Sequence, residues 1–248
     1  EKAKQRVLAT REPSESSEGP LPMAAWDFES DLQDQVGSHH GRFHGSARLA
    51  NGALVLDGKG HLSTTALSED LRAKTLVARV MLSTLDQRGG GVVSVESGAT
   101  FDSIVYSEQA PRHWLAGSNG FARTQPFEGE PEGRAKDAFV HVAIVYQEDG
   151  QVLGYLEGKP YGKSYKSSGP AHFRSGKSQF LLGLRHGEPA SDRRLRGKID
   201  DAAVFDRALS AHEVAALASG SGNYVSMKDH LAAMTEPERE RHREAQAS

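Results

Sequence analysis

Cysteine is absent from the 248 residues. That excludes disulfide staples, thiolate nucleophiles and cysteine-based zinc sites together. It does not fix the compartment, because a domain of this size buries enough core without disulfides. No apolar run approaches the ~20 residues needed to span a bilayer. The first residues, EKAKQRVLAT, have no apolar h-region of the kind a signal peptide needs. Position 1 is Glu rather than Met, which reads as a chain excised from something longer. Neither charge sign dominates: 30 basic residues face 33 acidic ones, a net charge of -3. No global field therefore draws the chain to nucleic acid or a membrane. Aromatics make up only 7% of the sequence, so a core will claim most of them. There is no G-x-S-x-G elbow and no H-E-x-x-H. No glycine-rich phosphate loop opens a helix either, since Gly89-Gly90-Gly91 leads into a strand.

Glycine, by contrast, is plentiful, with 26 residues that fall between short apolar runs. This is the punctuation of an all-β chain. The runs are 23–28, 53–57, 61–64, 75–83, 92–95, 101–106, 113–116, 139–146, 151–157, 180–184 and 198–205. In 75–83 the residues Leu76, Ala78, Val80 and Leu82 share one face. Phe139–Tyr146 is apolar at nearly every position and predicts a strand covered on both sides. Glu148-Asp149-Gly150 predicts a hairpin turn. Eleven strands so spaced fit two packed antiparallel sheets. One short helix is expected late: Ser210 and Glu213 form a capping box, and Gly220 stops it. The expected organisation is a helical end plus linker over 1–22 and a β-sandwich over 23–220. A helical tail over 221–248 then leads to a further domain, with Thr235-Glu236-Pro237-Glu238 as a second capping box.

The residues also carry a family resemblance. Trp26-Asp27-Phe28, Asp34 to Gly37, Gly41 and His44-Gly45 resemble the opening of LamG-like jelly-roll domains. Gly52–Gly58 (GALVLDG) resembles their second strand, and Phe139–Tyr146 (FVHVAIVY) a central one, with Phe139 where Trp is usual. Gln151–Lys159, Leu182-Gly183 and Gly197–Ser210 (GKIDDAAVFDRALS) match later signatures. Six pieces in order over nearly 190 residues imply a concanavalin A-like jelly roll. The flanks are similar to the borders of such inserts in large bacterial multidomain proteins, which implies an extracytoplasmic setting.

The resemblance also implies a structural calcium near Asp57 and Asp200, since Ca²⁺ takes ~6–8 oxygen ligands. The alternative is that Asp57 caps its turn and Asp200 pairs with an Arg. His39, His40 and His44 lie beside Asp34, but their stretch reads as a Gly-flanked surface loop rather than a zinc site. Ten cations fall between Lys159 and Lys198, including Arg185, Arg193, Arg194 and Arg196, with Tyr161 and Tyr165 interleaved. Such a patch suits an anionic polysaccharide, with cations on sulfate or carboxylate. It equally suits a solvated surface balanced by the acidic stretch Glu128–Glu132. Trp114, Phe121 and Phe127 are expected near loops, and Trp114 is the one picked as a sugar platform; Trp26 belongs to the core. The expected ligand set is therefore Trp114, Tyr161, Tyr165, Arg185, Arg193 and Arg194.

Glucanases of this superfamily carry two glutamates in an E-x-D-x-x-E pattern, and this sequence has none. Asp200 and Asp201 are adjacent, so on a regular strand they point to opposite faces. The sequence thus predicts a non-catalytic carbohydrate-binding module. The alternative is a spacer or protein-interaction domain docked on its neighbours in the same polypeptide.

Overall fold

The computed structural model describes residues 19–187, 192–220 and 234–240. The expected N-terminal helix, most of the linker, the helix over 226–233 and the end of the tail lie outside these residues. In chain order the elements are β1 (Ala24–Trp26), β2 (Gly41–His44), β3 (Arg48–Leu49), β4 (Leu54–Asp57), β5 (His61–Ala66), β6 (Lys74–Leu82), β7 (Gly90–Ser97), β8 (Thr100–Tyr106) and β9 (Trp114–Ser118). They continue with β10 (Val140–Tyr146), β11 (Gln151–Leu156), β12 (Lys159–Pro160), β13 (Tyr165–Lys166), β14 (Gln179–Leu182), β15 (Arg196–Phe205) and the helix α1 (Ala211–Ser219).

The strands form two antiparallel sheets. The first has nine strands, in the order β12-β11-β10-β6-β15-β4-β3, with β1 also on β15 and β13 also on β11. The second has six, in the order β2-β5-β14-β7-β8-β9. All eleven expected strands are present. β10 is buried at every position, paired with β6 on one side and β11 on the other. That is why it reads as a continuous apolar run. Between the sheets lies a core that includes Trp26, Phe28, Ile144, Phe180 and Val204. Burying such a side chain contributes roughly 1.5–3 kcal/mol. The outer face of the larger sheet is covered by α1, whose Val214 and Leu217 pack with Val77, Val145, Tyr155 and Phe205.

The first capping box forms as the sequence predicts. The Ser210 side chain accepts from the Glu213 backbone N–H, and the Glu213 carboxylate accepts from the Ser210 N–H. At the turn over 236–240 the second box forms by half: the Thr235 N–H and hydroxyl donate to the Glu238 carboxylate, while the Glu238 N–H bonds the Thr235 carbonyl. The Asp-Gly hairpin is also present, with Gly150 at φ 90° and the Gln151 N–H bonded to the Asp149 carboxylate.

Two expectations change. The His39–His44 stretch is not a surface loop. His39 is buried against Phe180, its carbonyl accepts from the Trp26 indole, and His44 lies in β2 stacked on His61 at 4.5 Å. And β15 carries a bulge between Ile199 and Asp201. The bulge removes the strict alternation, so Asp200 and Asp201 both reach Arg79, at 3.4 and 3.6 Å, instead of leaving opposite faces.

The core also holds a buried ion pair. Lys74 Nζ lies 2.8 Å from the Asp102 carboxylate, and both side chains are fully buried. The ammonium donates to the Arg72 carbonyl and sits over the rings of Tyr146 and Phe173. Arg123 bonds the other Asp102 oxygen at 3.0 Å.

Candidate functional site

Three loops meet at one end of the sandwich. They are 83–89 between β6 and β7, 107–113 between β8 and β9, and the described parts, 183–187 and 192–195, of the connection between β14 and β15. The strand registers put them together: Gly90 pairs with Tyr106, and Leu182 with Val93. The Tyr106 hydroxyl donates to the Leu85 carbonyl across the gap. The middle loop separates two concavities.

On one side is a cavity of about 110 Å³, lined chiefly by Ala110, Trp114, Leu115, Pro126, Phe127 and Tyr161, with Gln109 and His113 at its rim. It has the room of about three or four waters. The wall is fixed from behind. Trp114 Nε1 donates to Glu132 at 3.1 Å, and the Tyr161 hydroxyl accepts from the Trp114 backbone N–H and donates to the Glu130 carbonyl. Burial pushes the Tyr161 hydroxyl up to about 12. Tyr165 stands behind Phe127, with its hydroxyl on the Arg123 carbonyl.

On the other side is a polar cleft of about 490 Å³, lined by Thr84, Asp86, Gln87, Arg88, Asp192, Arg194 and Arg196. Its floor is stitched by one amide. Gln87 donates to the Arg196 carbonyl at 2.8 Å and accepts from the Arg196 N–H at 2.8 Å. Gly89 allows the loops to approach: it sits at φ 69°, and a Cβ there would meet the Asp192 carbonyl oxygen. Beyond the cleft the chain folds back over the outer face of the smaller sheet. Ser94 bonds the Leu184 carbonyl and Ser103, and His186 stacks on Phe101 at 4.0 Å. Burial pushes His186 down to about 4.

The expected ligand set is therefore split. Trp114 and Tyr161 share the cavity, and Arg194 lines the cleft. Tyr165 is behind the wall. Arg185 is held by Glu108 beneath the cleft, with Asp192 at 3.7 Å. Burial pushes the Glu108 carboxyl up although Arg185 pulls it down. Arg193 acts through its backbone, whose carbonyl accepts from Gly91 and Arg185. The long cationic patch is not continuous: Lys163 pairs with Glu128 and Lys166 with Asp149, away from the arginines. Trp114 and Phe127 are each 2% exposed rather than solvent platforms, whereas Phe121 is 47% exposed. Arg88 and Gln87 were missed as site residues, and Arg196 was counted in the cationic patch but not in the ligand set. The Arg88-Gly89-Gly90-Gly91 run was the available signal, because glycines in a strand mark close backbone approach.

The expected calcium ligands do not converge. Asp57 pairs with Arg196 across β4 and β15, and Asp200 is four residues further along, roughly 13 Å at ~3.3 Å per residue. Asp57 is spent on its turn, accepting from Ser46 at 2.5 Å and from the Lys59 N–H at 2.8 Å. These contacts hold its carboxyl below the usual range. Asp200 faces Arg79, so the donor set does not fit a cation there. Among the described residues, no three His, Asp or Glu side chains are grouped to hold a metal.

Comparison with known proteins agrees with this architecture. Residues 56–215 match the model of the concanavalin A-like lectin/glucanases superfamily. Among solved structures, domain 4 of AbnA, an extracellular arabinanase from Geobacillus stearothermophilus in complex with arabinotriose, aligns with TM-score 0.60 at 20% identity. That alignment covers 81% of this chain and all of that domain. Trypanosoma rangeli sialidase in complex with sialic acid aligns with TM-score 0.57 at 16% identity, over 88% of this chain and 37% of the sialidase. Botulinum neurotoxin type C, whose cell entry depends on two ganglioside molecules, aligns with TM-score 0.57 at 13% identity. There the coverage is 81% of this chain and 51% of the toxin chain. At such identities the likeness is one of fold. No curated protein matches the sequence.

Proposed function

Because the chain belongs to the concanavalin A-like lectin/glucanases superfamily, we propose that it is a non-catalytic carbohydrate-binding module whose ligand is held at the loop-bearing end. The observation that carries this reading is the small cavity, about 110 Å³, walled by Trp114, Phe127 and Tyr161. Ring faces suit the C–H face of a sugar, and polar rims fix its orientation. Gln109 and His113 supply that rim. The complexes of the arabinanase domain and the sialidase with sugars support the class of ligand. Within that class, the arginines of the neighbouring cleft favour an anionic polysaccharide.

A binding role rather than a catalytic one is supported by the state of the carboxylates. Glycoside hydrolysis needs two of them free to face one bond. Glu128 at the cavity is tied to Lys163 at 2.7 Å. Glu132 is tied to Trp114 and to the backbone N–H groups of Arg134 and Ala135. Asp200 and Asp201 share Arg79 on the other sheet, where burial pushes Asp201 up to about 6. An extracytoplasmic setting and neighbouring domains in the same polypeptide complete the reading. No helix among the described residues is long and apolar enough to cross a membrane.

A glycan array probed with and without calcium tests it. Binding to at least one glycan class is expected, unchanged by chelation and weakened by Gln109→Ala and His113→Ala. If no glycan binds in either condition, the carbohydrate reading fails in favour of a spacer or protein-interaction role.

A further inference from the structure

The structure assigns an anion-binding subsite to the cleft of Arg88, Arg194 and Arg196, one that seats a sulfate or carboxylate group carried by an acidic glycan. The assignment rests on the carbohydrate reading above for the identity of the carrier, but the subsite itself rests on its own geometry.

Charge is unbalanced at this end of the sandwich. Asp86 is drawn to Arg112 at 3.7 Å, Asp192 to Arg185 at 3.7 Å, and Glu108 also to Arg185. Among the described residues, Asp86, Asp192 and Glu108 make their ion pairs with Arg112 and Arg185, and Arg88, Arg194 and Arg196 of the cleft make none. The excess lies in the cleft, whose lining includes Arg88, Arg194 and Arg196. Desolvation sharpens this, since the Arg194 Nε is buried and has no hydrogen-bond partner.

The cleft is also built in advance. The Gln87 amide locks the 83–89 loop to the start of β15 through both of its polar atoms. Arg185 is paired with Glu108 and with Asp192, which lines the cleft. A guanidinium fork matches the paired oxygens of carboxylate and sulfate, which a lysine ammonium does not. The 107–113 loop lines the cavity through Gln109, Ala110 and His113 and touches the cleft through the contact of Arg112 with Asp86.

Isothermal titration at low salt separates the possibilities, using four probes: inorganic sulfate, a sulfated heparin-type oligosaccharide, an unsulfated polyuronate oligosaccharide and a neutral arabino-oligosaccharide. At least one acidic oligosaccharide should bind at least tenfold tighter than the neutral one, with affinity falling as salt rises. Whether the sulfated or the uronate probe is tighter tells which group the cleft seats. Arg194→Ala and Arg196→Ala should each weaken the acidic ligand about tenfold or more, equivalent to at least ~1.4 kcal/mol. They should leave the neutral one unchanged, and Arg194→Lys should recover only part. Thermal unfolding at the wild-type midpoint confirms that each variant folds. Equal binding of acidic and neutral ligands, or variants with undiminished acidic binding, overturns the subsite and leaves the carbohydrate reading intact. Sulfate bound and lost with Arg194→Ala, but no glycan bound, upholds the subsite and removes the carbohydrate carrier. If nothing binds, both are overturned.

Discussion

Replacing Asp102 by Asn should strand a charge in the middle of the sandwich. Wild-type Lys74 faces one carboxylate at 2.8 Å, one backbone carbonyl and two aromatic faces, with no exposed surface. Arg123 shares the same carboxylate and is 10% exposed. The substitution keeps the shape and removes the only anion of the three. Breaking a buried pair by removing one partner typically costs about 3–5 kcal/mol. An independent bound gives the same size: the fold can escape by releasing the Lys74 proton, and at pH 7 this costs about 4.6 kcal/mol from an ordinary pKa near 10.4. Burial already pulls the Lys74 pKa down, opposed chiefly by Asp102. In the variant that opposition is gone, so the folded state holds fewer protons than the unfolded one up to the ordinary lysine pKa. Its stability must therefore rise with pH through the alkaline range. Urea unfolding followed by the fluorescence of buried Trp26 and Trp114 measures both quantities. Expected are a loss of about 3–5 kcal/mol at pH 7, a smaller loss at pH 9.5, and recovery of at least half when Lys74→Met is added. A loss under about 1 kcal/mol, or one independent of pH, would refute the reasoning.

Two further outcomes follow from buried groups and close backbones. His61 and His141 are 7% and 5% exposed, and burial pushes both down to about 4. The unfolded chain then binds more protons than the folded one below its ordinary histidine pKa of about 6.5, so stability should fall as pH drops from there towards 4. Denaturation midpoints across that range measure the slope, and His141→Gln should flatten it; an unchanged slope would contradict the assignment. Gly89→Ala would drive a Cβ into the Asp192 carbonyl oxygen at φ 69°. It should cost about 1–3 kcal/mol and weaken acidic ligands more than neutral ones, measured by thermal unfolding and the same titrations.

The strands were legible because each buries a face or both faces, so alternation or continuous apolarity writes them into the sequence. β2 escaped because its four residues are only partly buried or exposed. β12 and β13 are two residues each and show no periodicity at all. Lys74 was unreadable for a different reason. It opens an apolar strand, and what makes it tolerable is a carboxylate 28 positions away on the other sheet. The site was half legible. Trp114 and Tyr161 were picked for their ring chemistry and do share a cavity, yet Trp114 was expected exposed near a loop, whereas it opens β9 and is buried. Arg185 and Arg194 look alike in sequence. Only Glu108, brought over from β8's end, takes one out of service and leaves the other in the cleft.

The pairing of β1 with β15 has a mechanical consequence. Ala24 lies opposite Val204, and a Cβ added at Gly19 would stand 3.9 Å from Leu217 on α1. The polypeptide thus joins and leaves the sandwich at neighbouring points on one face. A pull on both sides does not stretch the sheets along their strands. It peels a three-residue strand and a nine-residue helix first, breaking hydrogen bonds one after another rather than shearing many at once. Under tension those two elements should yield first, like a fuse, while the loop-bearing end at the far side of β6 stays assembled.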